Sequence, residues 1–172
     1  MKRLTTDEYL WSLAFAANKR STCDRLRAGC VVARNGSVLA TGYNGSVPGE
    51  AHCDEAGHEL EFVQHANTQI PESHCVRTIH AEINVIINAA MNGINISDAD
   101  WYITGVPCKR CSMAIARLRP NRVFFVSDMG GNDRWQDIVD WWEARMSLYG
   151  LPKNLYKKTK KQLEETGVVE PD

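Results

Sequence analysis

The stretch WYITGVPCKRCSMAIARLRPNRVFFV, residues 101–126, decides the fold. Residues 101–106 and 122–126 have the apolar character of buried strands. Between them, residues 112–118 are predicted to form a helix that Pro120 ends. A strand, a helix and a strand at this spacing predict a right-handed crossover between parallel strands. The sequence is therefore expected to belong to the α/β class.

Two further helices are predicted on the N-terminal side of this stretch. Thr5 and Glu8 have the spacing of a capping box, and apolar residues follow at helical intervals, which predicts a helix over residues 6–18. Residues 81–91 have a nearly continuous apolar face and precede an Asn-Gly pair, which favours the end of a helix. We expect both helices to cover a sheet.

The first two strands are predicted to form a hairpin. Residues 29–33 and 37–42 are rich in small and β-branched side chains. Asn35 and Gly36 between them tolerate the positive φ of a tight turn. Residues 46–75 follow with an irregular pattern, which predicts a long loop that something other than an apolar core holds in place.

The length and composition are those of a globular protein. The chain has 172 residues, of which 44% are hydrophobic and 24% charged, and this excludes a largely disordered chain. We expect one domain over residues 1–150 and a lysine-rich, solvated appendage over residues 151–172. With 20 basic and 21 acidic side chains the net charge is −1, so we expect a small ligand rather than nucleic acid as partner.

The N-terminal segment and the cysteines indicate the compartment. Acidic residues follow the basic start, and neither a long apolar run nor a small-residue cleavage site is present, so we expect a cytoplasmic protein with no membrane partner. Cytoplasmic thiols are held reduced. The 6 cysteines therefore indicate metal binding or catalysis rather than disulfides.

The strongest functional pattern pairs His80 with the sequence PCKRC at residues 107–111. His80 precedes one predicted helix, and Cys108 and Cys111 lie on one face at the start of the next, where the helix dipole favours thiolates. An imidazole and two thiolates are typical zinc ligands, and a catalytic zinc keeps its fourth position open. We therefore predict a catalytic zinc ion on these three side chains.

Glu82 is the predicted proton carrier, because it lies two residues after His80. Zinc lowers the pKa of a bound water molecule to about 7, and a neighbouring carboxylate can take the proton and leave hydroxide as the nucleophile. The same carboxyl group can protonate a ring nitrogen and then a departing amine. The set fits hydrolytic deamination, and its two sequence patterns are those of zinc nucleobase deaminases. The alternative is a purely structural zinc with a fourth ligand such as Cys30, which resembles a core thiol.

Four segments resemble deoxycytidylate (dCMP) deaminases. They are RSTCDRLRAGCVVA (residues 20–33), ATGYNGSVPGEAHCDEAGH (40–58), HCVRTIHAE (74–82) and PCKRC (107–111). The resemblance implies a three-layer α/β/α fold with a central five-stranded mixed sheet, a homo-oligomer that is often a hexamer, and hydrolysis of dCMP to dUMP and ammonia. It also implies that His80, Cys108 and Cys111 bind zinc and that Glu82 acts as acid and base.

The resemblance further implies where nucleotides bind. Ser21 and Arg25 match residues that hold the 5′-phosphate, and Asn44 matches a residue near the sugar hydroxyl. The match to a regulatory site for dCTP or dTTP, which can carry Mg²⁺, comprises Gly42, Tyr43, Asn44 and Gly45. From the residues alone, Arg25 also fits a solvated ion pair and Asn44 a turn.

A second, structural zinc ion is predicted on the remaining cysteines. Some deoxycytidylate deaminases resemble this arrangement, with a cysteine where His58 stands. The predicted ligands are Cys23, Cys53, His58 and Cys75. A metal ion would order the irregular loop, which buries little apolar surface. His65 and His74 are rival fourth ligands, and three ordinary reduced thiols are the alternative to a metal site.

The chain departs from the family pattern in two places. Residues 127–134, SDMGGNDR, lack an expected phosphate-binding arginine, which is lost or replaced by Arg134, and residues 59–73 carry no family motif. The alternative functions are a polynucleotide deaminase and a non-catalytic, zinc-stabilised interaction module. The near-neutral charge counts against the first, and a requirement for Glu82 would count against the second.

Overall fold

The structure is a computed structural model that describes residues 3–63, 72–128, 140–144 and 155–169. The elements in chain order are α1 (Thr6–Asn18), β1 (Gly29–Arg34), β2 (Ser37–Tyr43), β3 (Gly45–Ser46), α2 (Cys53–Ala56), β4 (Leu60–Val63), β5 (Glu72–Cys75), β6 (Thr78–Ile79), α3 (Ala81–Met91), β7 (Asp100–Ile103), α4 (Lys109–Arg117), β8 (Arg122–Val126), β9 (Leu155–Lys158) and α5 (Lys160–Glu164). Within these ranges, no helix combines the length and the apolar character that a bilayer crossing requires.

The central sheet of the described residues contains 5 strands in the order β2-β1-β7-β8-β9. β1 is antiparallel to β2 and β7, whereas β8 is parallel to β7 and β9. The predicted α/β class with a five-stranded mixed sheet is confirmed, as is the parallel pairing of the two strands in residues 101–126. Two small separate sheets pair β3 with β6 and β4 with β5.

Helices cover both faces of the central sheet and create three layers. On one face, α3 and α4 contribute Val85 and Ile115 to a core cluster that includes Trp101 of β7. On the other face, α1 contributes Leu10 and Trp11 to a second cluster. Each large apolar side chain buried in this way stabilises the fold by about 1.5–3 kcal/mol. The two clusters hold the helices against the strands.

Two local predictions are confirmed at the N-terminal end of the sheet. The Thr5 hydroxyl accepts the backbone N–H of Glu8 at 3.2 Å, and the Glu8 carboxylate accepts that of Thr5 at 2.6 Å. This capping box starts α1 where the sequence predicts. Asn35 and Gly36 have φ values of 52° and 79°, the left-handed conformation that a two-residue hairpin turn requires.

The C-terminal segment differs from the prediction of a solvated appendage over residues 151–172. β9 pairs with β8, and Leu163 and Val168 lie in the core cluster beneath α1. The ring of Tyr156 stacks on that of Phe124, with centroids 4.9 Å apart. The appendage prediction is therefore wrong for the described part of this segment. The sequence of β9 does not alternate between apolar and polar residues, so its pattern does not predict a strand. Backbone pairing with β8 and one aromatic stack hold it in place.

The segment between β7 and β8 also has shifted boundaries. β7 ends at Ile103, before the predicted end of the strand at residue 106, because the backbone N–H of Thr104 makes the last bond to β1 and the main chain then leaves the sheet. α4 begins at Lys109, before the predicted start at residue 112, with Cys108 as its N-cap. Cys108 and Cys111 are thereby placed at the very beginning of the helix.

Candidate functional site

The residues of the His-x-Glu and Pro-Cys-x-x-Cys patterns meet at two helix N-termini. His80 is the N-cap of α3, and Cys108 is the N-cap of α4. The Nδ1 atom of His80 lies 3.7 Å from Sγ of Cys108 and 3.4 Å from Sγ of Cys111. We call His80, Cys108 and Cys111 the three-donor cluster.

The atoms of the three-donor cluster are spaced as a tetrahedral zinc ion requires. Zinc bonds of ~2.3 Å to sulfur and ~2.0 Å to nitrogen separate neighbouring ligand atoms by roughly 3.5–3.8 Å. Among the described residues, no further His, Cys, Asp or Glu side chain joins this group, and the group does not include Cys30. The donor set therefore fits a zinc ion that keeps one position open, and not the structural site that Cys30 would complete.

The electrostatics of the three-donor cluster favour an anionic sulfur. Hydrogen bonds from Cys111 and His80 lower the pKa of Cys108 to about 4, although burial acts in the opposite direction. The hydrogen bond to Cys108 in turn raises the pKa of His80. A deprotonated sulfur is the form that a metal ion binds. The hydrogen bond with Cys108 raises the pKa of Cys111, so Cys108 is the sulfur that is favoured as the anion.

Glu82 lies in the first turn of α3, and its side chain contacts the three-donor cluster. Only 5% of the residue is exposed. Burial raises the pKa of its carboxyl group, while the charge of His80 and a hydrogen bond with Cys111 act to lower it. A buried carboxyl group with a raised pKa can accept a proton and later return it. The position and environment of Glu82 suit a proton carrier.

β2 fixes the position of the first turn of α3. A Cβ on Gly42 would lie 2.6 Å from the carbonyl oxygen of Ala81, so only glycine allows the helix to approach the strand this closely. Asn84 donates its side-chain N–H to the carbonyl of Tyr43 at 2.8 Å. These contacts hold the helix turn that carries the histidine and the glutamate.

A second group consists of Cys23, Cys53, His58 and Cys75, whose ligand atoms all lie within 4.8 Å of one another. The Sγ atoms of Cys53 and Cys75 are 3.7 Å apart, and Sγ of Cys23 lies 3.9 Å from Nδ1 of His58. On the other side of the ring, Nε2 of His58 lies 3.3 Å from a carboxylate oxygen of Asp24. Such a carboxylate orients a metal-binding histidine. We call this group of four residues the four-donor cluster.

The four-donor cluster brings together separate parts of the long segment, residues 46–75, that the sequence predicts to be irregular. Cys53 begins α2, and Cys75 ends the hairpin of β4 and β5. Among the described residues, His58 is the histidine that joins the three thiols, and His74 does not. His65, the other rival ligand, lies outside the described residues. The segment thus contains short regular elements that meet at the cluster.

Ser21 and Arg25, the predicted phosphate ligands, lie in the loop between α1 and β1. The Ser21 hydroxyl accepts the backbone N–H of Cys23 at 3.2 Å. Arg25 donates through Nη2 to the carbonyl and the hydroxyl of Ser73 in β5, at 2.9 and 2.8 Å. These partners are neutral, so the contact differs from the ion pair considered for Arg25. Arg134, the predicted replacement arginine, lies outside the described residues.

Asn44 anchors the same loop, a role that sequence reasoning missed. Its Oδ1 accepts the N–H of Ala28 at 2.7 Å, and its Nδ2 donates to the carbonyl of Leu26 at 2.6 Å. Its φ lies outside the left-handed region, so the turn interpretation does not hold. An asparagine between Tyr43 and Gly45 gives no sequence signal of partners 16 and 18 residues away in the chain.

Comparisons with known proteins agree with this geometry. A protein-family profile described as "Cytidine and deoxycytidylate deaminase zinc-binding region" matches residues 4–127. "ComE operon protein 2" of Bacillus subtilis (strain 168) is 32% identical over 140 residues, which cover 81% of this chain and 69% of that protein. The deoxycytidylate deaminase of Enterobacteria phage T4 is 30% identical over 183 residues, which cover 89% of this chain and 94% of that protein.

A solved structure shares the fold. The crystal structure of dCMP deaminase from the cyanophage S-TIM5 in complex with dCMP and dUMP superimposes with a TM-score of 0.64 at 21% identity. The match covers 92% of this chain and 99% of that chain. The three-layer arrangement with a central mixed sheet is therefore common to both proteins.

Proposed function

The chain belongs to the cytidine and deoxycytidylate deaminase family, and from this we propose that it hydrolyses dCMP to dUMP and ammonia. The observation that carries the proposal is the three-donor cluster with the buried carboxyl group of Glu82 against it. Relatives named deoxycytidylate deaminase support the choice of nucleotide.

The proposed mechanism assigns one task to each side chain. His80, Cys108 and Cys111 would hold the zinc ion. When bound there, zinc supplies a polarised water molecule, because it lowers the pKa of that water to about 7. Glu82 takes a proton from the attacking water and delivers it to N3 of the cytosine ring. It then carries the second proton from the new hydroxyl at C4 to the amino group, which leaves as ammonia.

The 5′-phosphate is proposed to bind at Ser21 and Arg25, with the sugar near Asn44. Arg25 contacts Ser73 through Nη2, and its guanidinium carries three further N–H groups, on Nη1 and Nε, that can face a phosphate. The match of these residues to the family supports this assignment. The hydrogen bonds of Asn44 to the loop indicate that it also shapes the phosphate site indirectly.

A substrate panel tests the proposed activity. We expect the zinc-loaded protein to deaminate dCMP faster than cytidine, deoxycytidine, CMP, dCTP or a short oligonucleotide. Arg25→Ala should slow the reaction of dCMP and spare that of deoxycytidine, with Arg27→Ala as the matched control. Preference for the oligonucleotide would overturn the substrate in favour of polynucleotide deamination. Inactivity of the zinc-loaded protein on every cytosine compound would overturn deamination itself.

We also propose that the four-donor cluster binds a structural zinc ion. Three thiols and an imidazole complete a closed tetrahedral set, and the spacing of their atoms supports such a site. Elemental analysis should then give two zinc ions per chain. One zinc ion per chain in the fully active protein would exclude the second site.

Regulation, assembly and compartment complete the proposal. Resemblance of the segment Gly42 to Gly45 to family members supports control by dCTP and dTTP, bound with Mg²⁺. The resemblance of the whole chain to the family supports assembly into a hexamer. The structure describes all 6 cysteines and pairs none of them in a disulfide, which supports a reducing, cytoplasmic location. Rates at limiting dCMP with each triphosphate, and light scattering with and without them, test these points. Unchanged rates would contradict the proposed regulation, and a monomeric mass would contradict the proposed hexamer.

A further inference from the structure

Thr104 directly follows β7 and is completely buried. Its backbone N–H donates to the carbonyl of Gly29 at 3.0 Å. Its side-chain oxygen accepts the N–H of Gly29 at 2.9 Å. In a regular antiparallel pair, the backbone carbonyl would accept this second bond. The hydroxyl of Thr104 thus takes the place of a backbone carbonyl in the ladder between β1 and β7.

This replacement allows the main chain to leave the sheet after Thr104. Because the hydroxyl already satisfies the N–H of Gly29, the backbone of Thr104 is able to leave the sheet without a buried donor losing its partner. The chain then reaches Cys108, the N-cap of α4, within four residues. A strand that continued in register would carry the two cysteines along the sheet instead.

A third element holds the same hydroxyl oxygen. Asn18, the last residue of α1, is 7% exposed. Its Nδ2 donates to Oγ1 of Thr104 at 3.2 Å and to the carbonyl of Arg27 at 3.1 Å. Asn18 therefore links the chain segment that leads to Cys108 with the loop between α1 and β1.

The junction of these three elements is tightly packed. A Cβ on Gly29 would lie 2.6 Å from the backbone nitrogen of Asn18, so α1 sits directly on the first residue of β1. Removal of the hydroxyl from Thr104 would leave the N–H of Gly29 without its acceptor in a buried place. Such a loss is unfavourable, and a shift of the backbone that brings this N–H to another acceptor would relieve it.

We propose that Thr104 and Asn18 are positioning residues for the three-donor cluster. The hydroxyl of Thr104 sets the path of residues 104–108 and hence the position of the sulfur ligands. Asn18 couples that path to the loop proposed to bind the phosphate. The kinetic part of this inference rests on the proposed function, whereas its effect on zinc binding does not.

The test compares Thr104→Val, which removes the oxygen and keeps the shape, with Thr104→Ser, which keeps the hydroxyl. Zinc release to a coloured chelator is followed together with kcat and KM for dCMP. The release phase that parallels the loss of activity reports on the three-donor cluster. We expect Thr104→Val to release this zinc about tenfold faster and to lower kcat about tenfold, whereas Thr104→Ser stays close to the wild type.

Val31→Ala is the control for a loss of stability alone. Val31 is fully buried in the cluster that α1 covers, and its side chain makes none of the hydrogen bonds of the junction, so its truncation lowers the melting temperature and leaves those bonds in place. The proposal is overturned if Thr104→Val behaves like this control, with a lower melting temperature but unchanged zinc release and kcat. If the wild type has no deaminase activity, the release phase that is missing from Cys108→Ala identifies the three-donor cluster, and the zinc-release comparison still decides the inference.

Asn18→Ala provides a second route to the same answer, which also serves if Thr104→Val does not fold. It removes one of the two donors to the Thr104 oxygen, so we expect faster zinc release and a higher KM for dCMP. The double variant with Thr104→Ser should behave like Asn18→Ala alone, because serine keeps the acceptor and Thr104→Ser by itself is expected to stay close to the wild type. Wild-type zinc release and KM in Asn18→Ala would contradict the coupling.

Discussion

The two donor clusters are built on different kinds of structure. The three-donor cluster lies at the N-termini of α3 and α4, which pack on the central sheet. The four-donor cluster joins a loop, the short helix α2 and a two-stranded hairpin whose Leu60 and Phe62 are 44% and 67% exposed. Where a core positions the donors, three would be enough to hold the proposed ion and would leave one of its positions open. Where there is little core, four donors surround the proposed ion, which would itself order the chain.

The carboxylates beside the two clusters differ in burial, and therefore in the role that each can have. Glu82 is buried against the three-donor cluster, and burial raises its pKa, so it can carry a proton. The side chain of Asp24 is 58% exposed and lies against the outer nitrogen of His58, where it can orient the ring. One cluster is therefore suited to a reaction and the other to holding chain segments together.

Glu82→Gln should have the largest effect of the variants considered for this contrast. The amide keeps the shape of the side chain but cannot carry a proton, so we expect the rate of ammonia release to fall about 10³-fold with zinc content unchanged. Steady-state rates and elemental analysis measure the two quantities. Glu50→Gln, at an exposed position, is the control. A Glu82→Gln protein with near wild-type activity would remove the catalytic half of the contrast.

Loss of one donor from each cluster should separate chemistry from stability. Cys108→Ala should abolish activity with little change in melting temperature, because helices on a sheet hold the site. Cys53→Ala should lower the melting temperature by about 10 °C and leave kcat nearly unchanged, because the proposed metal holds the hairpin. Calorimetry and rate measurements on both proteins give the comparison. Equal changes in melting temperature in the two variants would contradict the proposed difference between the clusters.

Asp24→Asn tests the difference between the two clusters through the zinc affinity of the four-donor cluster. The amide is uncharged and orients the ring of His58 less strongly, so we expect zinc affinity of the four-donor cluster to fall about tenfold. Competition with a chelator measures this change, and Asp54→Asn in the first turn of α2 is the matched control. An equal loss from the three-donor cluster would show that the two sites are not independent.

Ser73→Ala should have the smallest effect. It removes one of the two acceptors of Arg25 and leaves the carbonyl acceptor in place. We expect a loss of about 1 kcal/mol, which for a chain of this size lowers the melting temperature by about 2–4 °C. Ser73→Thr, which keeps the hydroxyl, should restore it. A shift as large as that of Cys53→Ala would show that hydrogen bonds, and not a metal, hold the hairpin.

The parts of the fold that the sequence predicts well have local causes. The capping box at Thr5 defines the start of α1, and the turn at Asn35 and Gly36 defines the first hairpin. The donors of the three-donor cluster are also predictable, because two short motifs place them at helix starts. In each case the residues that decide the structure are neighbours in the chain.

The remaining parts depend on partners far away in the sequence. β9 is a strand because β8 offers it an edge and Phe124 offers Tyr156 a stacking surface. The choice of His58 over His74 depends on how α2 and the hairpin meet. The end of β7 depends on one hydroxyl that bonds to another strand. No pattern among neighbouring residues in the sequence predicts these contacts.

The position of β9 at the edge of the sheet has a consequence for biosynthesis. Every donor of both clusters lies at or before Cys111, whereas the fifth strand is formed by Leu155–Lys158. A nascent chain emerging from the ribosome therefore presents all seven donor side chains of the two clusters before the last strand has been translated. Until then β8 is an uncovered edge, and early capture of zinc would stabilise the incomplete sheet while that edge awaits its partner.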